Sequence, residues 1–171
     1  MAKKFIYVLF CIMFLNIFAA CDFIASHHPY GIKPGMSSDL VQQNLGSPDD
    51  IFPDELLSKN GENFAEIWVY SQQPMGKTCY MIHFENGVVR YVEQVLDNFH
   101  FKKILPGLSQ EDVVKILGKP ASQTTFENLN EKVLEWHISG DTPFDEYYFD
   151  VHFDLNTQLV KKTSQRMVGK N

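Results

Sequence analysis

The segment "IKPGMSSDLVQQNLGSP", residues 32–48, decides the fold, because the chain repeats it 72 positions later as "ILPGLSQEDVVKILGKP", residues 104–120. The two segments agree at eight of seventeen positions, whereas ordinary residue usage gives about one chance identity in such a window. The shared residues are turn, capping and apolar residues, and none of them carries chemistry. The sequence therefore predicts a structural unit that has been duplicated.

Each segment contains the signals of one complete short helix. Ser37 and Ser109 suit the N-cap, where a hydroxyl accepts a hydrogen bond from a free backbone N–H. Asp39 and Glu111 follow in the first turn, where a negative charge suits the helix dipole. An apolar i, i+4 pair, a glycine and a proline then complete and stop a helix of about ten residues. These residues are Val41, Leu45, Gly46 and Pro48 in the first copy, and Val113, Leu117, Gly118 and Pro120 in the second.

Strand patterns follow each helix. The first copy continues with "AEIWVYSQQP" and "KTCYMIHFENGVVRYVEQ", and the second with "KVLEWHISGDTPFDEYYFDVHFDLNTQLVKKTSQ", all rich in aromatic and β-branched residues. Trp68 corresponds to Trp136, and "VEQVLDNFHFKK" adds a short helix ahead of the second unit. We predict an α+β fold of two tandem repeats, each with one or two short helices packed on a three- to four-stranded antiparallel meander.

Alternation along the strands separates the two faces of each predicted sheet. The face under the helices is core: Trp68, Tyr70, Tyr80, Ile82 and Phe84 in the first repeat, and Leu134, Trp136, Ile138, Phe149, Val151 and Phe153 in the second. The opposite face is apolar in the first repeat, with Ile67, Val69, Cys79 and Met81, and polar in the second, with Glu135, His137, Tyr148, Asp150 and His152. An apolar second face needs a cover. We favour one continuous core that joins both repeats, with a bound partner protein as the alternative.

The start of the chain has the pattern of an export signal. Lys3 and Lys4 precede an apolar run that ends in "FAAC", so that small residues and Cys21 stand at the expected cleavage point. "FAAC" resembles the bacterial lipobox, which implies that Cys21 carries lipid. A plain signal peptide and an uncleaved anchor helix are the alternatives. Asp22 resembles the signal that retains lipoproteins of enteric bacteria in the inner membrane, and we leave open whether the outer or the inner membrane holds the protein.

These features divide the chain and its charge. We predict a signal peptide (1–20), a lipidated cysteine and tether (21–31), a first repeat (32–94), a second repeat (95–165) and a tail (166–171). Loss of the two signal lysines leaves 13 basic against 21 acidic side chains, a net charge of −8, which argues against nucleic acid as a partner. Cys79 is then the one thiol left without lipid, in a strand pattern that predicts an inert, partly buried residue.

Residues of the first repeat carry a resemblance to a known family. "GMS", "LV", "NLGSP", a tryptophan strand and "HFENGVV" resemble the SmpA/OmlA family, which includes BamE-like lipoproteins of the outer-membrane assembly machinery. The second repeat departs from this pattern, since Leu108 replaces the methionine and "DLNTQLV" replaces the glycine-containing turn. The tandem arrangement is also similar to β-lactamase inhibitory protein. The resemblance implies a helix-plus-sheet fold and a role in protein binding.

Catalytic motifs are absent from the sequence: it has no Gly-x-Ser-x-Gly elbow, phosphate loop, His-Glu-x-x-His helix or Cys-x-x-Cys pair. We therefore expect no enzyme activity, no cofactor and no metal. A weaker alternative is a metal or small-ligand sensor that uses Glu135, His137, Asp150 and His152 on the polar sheet face.

The function that we expect is protein binding. We predict a lipid-anchored, periplasm-facing envelope protein that binds an unidentified envelope protein as a scaffold or accessory, with outer-membrane assembly as the implied process. The alternative is an inhibitor of a periplasmic or secreted enzyme, with "DTPFDEYY" as the inserting loop. The candidate protein-binding residues are Asp145, Glu146, Tyr147 and Tyr148, together with Ile67, Val69 and Met81.

Overall fold

The computed structural model describes residues 29, 31–58, 64–140, 142 and 145–168. The predicted signal peptide, Cys21 and Asp22 lie outside the described residues. The first repeat contains α1 (Ser38–Leu45), β1 (Asp50–Pro53), β2 (Ala65–Ser71), β3 (Cys79–Glu85) and β4 (Val88–Gln94). The second repeat contains α2 (Asn98–Phe101), α3 (Gln110–Leu117), β5 (Ser122–Phe126), a 3-10 turn (Glu127–Leu129), β6 (Glu131–Ile138), β7 (Glu146–Asp154) and β8 (Val160–Val168).

The duplicated segments form the helices α1 and α3, as predicted. Ser37 accepts a hydrogen bond from the backbone N–H of Leu40, and Ser109 forms a reciprocal capping box with Asp112. Gly46 and Gly118 end the helices with φ of 79° and 74°. Each helix has eight residues rather than about ten, because the caps themselves do not adopt helical geometry.

Each repeat contributes one four-stranded antiparallel sheet, with strand orders β1-β2-β3-β4 and β5-β6-β7-β8. The predicted α+β fold of tandem helix-plus-meander units is confirmed. The sequence analysis had not located the first strand of either sheet. β1 pairs with β2 and β5 with β6, and each of these strands directly follows the helix of its repeat.

Two apolar clusters form the core. The first lies within the first repeat, where Val41 and Leu45 of α1 cover the inner face of the first sheet. That face contributes Trp68, Tyr70, Ile82, Phe84 and Val89. The second, which we call the inter-repeat cluster, combines the inner face of the second sheet with residues of the first repeat. Trp136, Phe149 and Phe153 belong to it, and Phe101 of α2 stacks on Phe149 with ring centroids 4.1 Å apart. The inter-repeat cluster therefore joins the two repeats, while the first cluster stays within the first repeat.

The apolar outer face of the first sheet is covered from within the chain. Val69, Cys79 and Met81 are buried in the inter-repeat cluster together with Val113 and Leu117 of α3. Ile67 is half-buried against the same cluster. Val69 and Met81, predicted as protein-binding residues, lie under α3 and are not part of an exposed surface.

Polar contacts also fasten the two repeats together. The Gln73 side chain acts like a strand neighbour of β6: its amide donates to the His137 carbonyl at 2.7 Å and accepts from the His137 N–H at 3.1 Å. Lys77 Nζ donates to the Asp145 carbonyl at 2.5 Å, and Lys119 Nζ lies 3.3 Å from Asp50 Oδ2.

Among the described helices, none has the length and apolarity needed to cross a membrane.

Candidate protein-binding surface

The outer face of the second sheet faces away from α3, and we call it the open face. Strand register defines its members, because residues that oppose each other across a ladder share a face. No member of the open face belongs to either apolar cluster of the described residues. They are Ser122, Thr124 and Phe126 on β5, Glu131, Val133, Glu135 and His137 on β6, Glu146, Tyr148, Asp150, His152 and Asp154 on β7, and Lys162, Ser164, Arg166 and Val168 on β8.

Arg166 organises one end of the open face. Its Nε donates to Asp150 Oδ2 at 2.8 Å, and its guanidinium also contacts the Glu135 carboxylate. The same guanidinium lies 4.6 Å from the centre of the Tyr148 ring, a cation–π distance. Tyr148 in turn stacks on His137 with centroids 4.9 Å apart. Arginine and tyrosine are here held in a layer that faces outward.

Asp150 lies beneath this layer. Only 5% of the residue is exposed, and Oδ1 has no hydrogen-bond partner among the described residues, whereas Oδ2 is bound by Arg166. Burial raises the pKa of the Asp150 carboxyl above its ordinary value. The ion pair with Arg166 therefore neutralises a carboxylate that would otherwise be buried without compensation.

Glu131 organises the other end of the open face. Its carboxylate contacts Lys161 Nζ at 2.9 Å, His152 Nδ1 at 3.0 Å and Lys162 Nζ at 3.6 Å. The hydrogen bonds from Lys161 and His152 lower the pKa of Glu131 to about 2. His152 Nε2 also lies 3.1 Å from Ser164 Oγ. The open face thus carries fixed ion pairs and few unpaired charges.

The residues of the metal-sensor hypothesis do not meet at one point. Glu135 contacts Arg166, His137 Nε2 lies 2.5 Å from Glu146 Oε2, and His152 contacts Glu131. Within the described ranges, no three histidine, cysteine or acidic side chains are arranged to hold a metal ion. Glu135 and Asp150 pair with Arg166, while His137 and His152 pair with Glu146 and Glu131.

The predicted acidic and tyrosine cluster is divided between two faces. Glu146 and Tyr148 lie on the open face, while Tyr147 lies on the opposite face and packs against the inter-repeat cluster. The Asp145 carboxylate accepts a hydrogen bond from the backbone N–H of Thr142 at 2.8 Å and closes the turn before β7. Residues 141, 143 and 144 of the predicted inserting loop lie outside the described residues.

Sequence reasoning missed a second polar cluster, which we call the carboxylate–histidine chain. Its five members alternate between carboxylates and histidines, in the order Asp54, His83, Glu93, His100 and Asp97. The successive oxygen–nitrogen distances are 2.5 Å from Asp54 to His83, 3.0 Å from His83 to Glu93, 3.3 Å from Glu93 to His100 and 2.8 Å from His100 to Asp97. Asp54, His83 and His100 are each less than 5% exposed. The carboxylate–histidine chain links the end of β1, β3 and β4 in the first repeat to the start of α2 in the second.

Within the carboxylate–histidine chain, His83 and Glu93 each favour the charged form of the other. Burial alone lowers the pKa of His83, but the hydrogen bonds that its ring donates to the Glu93 and Asp54 carboxylates outweigh this effect and leave the pKa raised. The His83 hydrogen bond lowers the pKa of Glu93. The Tyr91 ring stacks on His83 with centroids 4.0 Å apart. A protonated His83 between two carboxylates is therefore the stable arrangement.

Little in the sequence indicated this chain. The Asp97–His100 pair could have been found, since Asp97 is also the N-cap of α2 and accepts from the His100 N–H at 2.9 Å. The contact between His83 and Glu93 depends on the exact register of β3 and β4, which contains a bulge beside His83. Asp54 approaches through a separate strand, which the sequence analysis had not located.

No protein-family model matches the chain, and no curated protein matches it. A solved structure described as "putative beta-lactamase inhibitor protein" from Streptococcus mutans is similar to this chain, at 14% identity and a TM-score of 0.32. The alignment covers 81% of this chain and 87% of the Streptococcus mutans chain. Likeness at this level does not indicate what either chain binds.

Proposed function

We propose that this chain is a lipid-anchored envelope protein that binds another protein through the open face. The observation that carries the proposal is the contrast between the two sheets. In the first sheet, the outer face is apolar and covered by α3; in the second, the equivalent face carries an ordered layer of tyrosine, arginine and ion pairs outside both apolar clusters. Tyrosine and arginine are enriched among the residues that dominate binding energy at protein interfaces.

Adjacent residues of β8 provide the test, because neighbours in a strand point to opposite faces. Ser164 is exposed on the open face, and Thr163 is exposed on the opposite face. A photoreactive side chain at position 164 is expected to crosslink a specific envelope protein in intact cells, whereas the same group at 163 crosslinks it at least about tenfold less. Recovery of uncrosslinked monomer alone from both positions, or equal crosslinking at both, would count against the proposal.

Lipid anchoring is a separate part of the proposal and rests on the lipobox pattern that ends at Cys21. We expect mass spectrometry to find acyl groups on Cys21. We expect Cys21→Ala to release the protein from the membrane fraction, because the acyl chains on Cys21 would be its anchor. Retention of Cys21→Ala in the membrane would indicate an uncleaved anchor helix. The SmpA/OmlA resemblance favours outer-membrane assembly as the process served.

Enzyme inhibition is the second candidate. The observation that favours it is that Lys77 of the first repeat holds the start of β7 in the second. Lys77 Nζ donates a hydrogen bond to the Asp145 carbonyl and lies 3.8 Å from Glu146 Oε1. An anchor at Asp145 that both repeats supply lowers the entropic cost of holding this end of the segment in an active site. Deletion of residues 141–144 should then abolish inhibition of an envelope enzyme while leaving the melting temperature within a few degrees.

A further inference from the structure

We propose that β5 is a self-association edge, at which two copies of this chain pair antiparallel and join their second sheets. The proposal concerns the strand edge and is independent of what binds the open face. β5 is the first strand of the order β5-β6-β7-β8, so one of its sides has no neighbouring strand in the described sheet. All five of its residues are exposed.

β5 lacks the protection that the other sheet edges carry. Exposed edges are normally blocked by charge, proline or bulges, because unpaired N–H and C=O groups otherwise template pairing. β5 reads "SQTTF" and pairs with β6 without a bulge. In contrast, the other edge strands carry blocking residues: Asp50 and Pro53 on β1, Arg90 and Glu93 on β4, and Lys161, Lys162 and Arg166 on β8.

The composition of β5 indicates a second copy as the occupant. In a two-fold antiparallel pair the residue on the axis faces its own equivalent, and each other residue faces the one equally far on the opposite side of the axis; like charges directly opposite are destabilising. Pairing about Thr124 places threonine against threonine and glutamine against threonine, which are favourable uncharged pairs. Pairing about the middle of β8, by contrast, would place Lys162 against Arg166, two like charges.

Charges that flank β5 also fit this arrangement. Lys119, which also contacts Asp50 of its own copy, precedes the strand, and the exposed Glu127 follows it. Antiparallel pairing about Thr124 brings each copy's Lys119 toward the other copy's Glu127, at both ends of the joined strands. The exposed side chains of Phe126 and Leu129 lie at the same ends and lose exposed surface on pairing.

Charge reversal at Thr124 tests the proposal with the full chain in detergent. Sedimentation from about 1 µM to about 1 mM should show a reversible dimer, since an interface of this size is weak. Thr124→Lys alone and Thr124→Glu alone should each weaken the dimer by about tenfold or more. An equimolar mixture of the two variants should restore association as a heterodimer, which unfolded protein could not do.

Thr163→Lys on the β8 edge is the matched control, because Thr163 is also an exposed threonine on an edge strand. It should leave the dimer unchanged. A monomer at all concentrations would overturn the proposal. So would a dimer that Thr124→Lys leaves intact, or one that the mixture fails to restore.

Discussion

Gly118→Ala is expected to lower the free energy of unfolding by about 2 to 6 kcal/mol. Gly118 has φ 74° and ψ −174°, a region that only glycine adopts without strain. A Cβ at this position would also stand 2.5 Å from Cys79 Sγ, which is fully buried between the repeats. Gly118 therefore allows the end of α3 to touch the first sheet, and alanine would push the repeats apart. Urea unfolding followed by circular dichroism measures the change.

Gly46→Ala is the matched control, because the duplicated position has nearly the same backbone and open space around its Cβ. Gly46 has φ 79° and ψ −167°, with nothing within 4 Å of a built Cβ. Its substitution should cost only the backbone strain, about 1 to 3 kcal/mol. Cys79→Ala should remove part of the clash, so the double variant with Gly118→Ala should be more stable than additivity predicts. Equal costs for the two glycines would contradict this account of the joint.

The second large effect is expected at His83. His83→Gln should destabilise the protein by about 3 kcal/mol in mildly acidic solution, since it leaves Asp54 buried without its cationic partner. Asp54 is 1% exposed, and its carboxylate lies 2.5 Å from His83 Nδ1. The Tyr91 ring would also lose the imidazole on which it stacks. Free energies of unfolding of wild type and variant, compared at fixed pH, give this value.

The pH dependence of that difference follows from the two directions of pKa shift. The pKa of His83 is raised in the folded protein above its ordinary 6.5, so its contribution is fully present below pH 6.5 and is lost as pH rises through the folded pKa. The pKa of Glu93 is lowered below its ordinary 4.5 by the His83 hydrogen bond, so its contribution is present above pH 4.5 and is lost as pH falls through the folded pKa. The stabilisation by His83 should therefore be greatest between pH 4.5 and 6.5.

Asp54→Asn and Asp154→Asn form a matched pair that isolates the histidine contact. Asp54 Oδ1 accepts from the N–H groups of Leu56 and Leu57, and Asp154 Oδ1 accepts in the same way from Asn156 and Thr157. Asp54→Asn should reduce the loss of stability above pH 6.5, because Glu93 alone then raises the pKa of His83, whereas Asp154→Asn should leave that loss unchanged. A His83→Gln difference that stays constant from pH 4.5 to 9 would refute the charge assignment.

The sequence alone determined the local structure. Ser109, Gly118 and their duplicates carried the helix boundaries, because caps and positive-φ glycines act within a few residues of the backbone that they shape. The inner faces were equally readable, since the alternation around Trp68 and Trp136 depends only on the pleat of a strand. Two repeats of helix and meander followed from these local signals.

The tertiary structure alone decided how the repeats meet and what they leave uncovered. The apolar side chains of Val69 and Met81 required a cover, but their chemistry suited α3 and a partner protein equally well. The carboxylate–histidine chain joins four separate elements, and the free edge of β5 depends on which strand ends the sheet. Hydrophobic contact is not directional, and local signals do not specify which distant segments approach. The packing of α3 against the first sheet, which covers Val69 and Met81, is seen only in the folded chain.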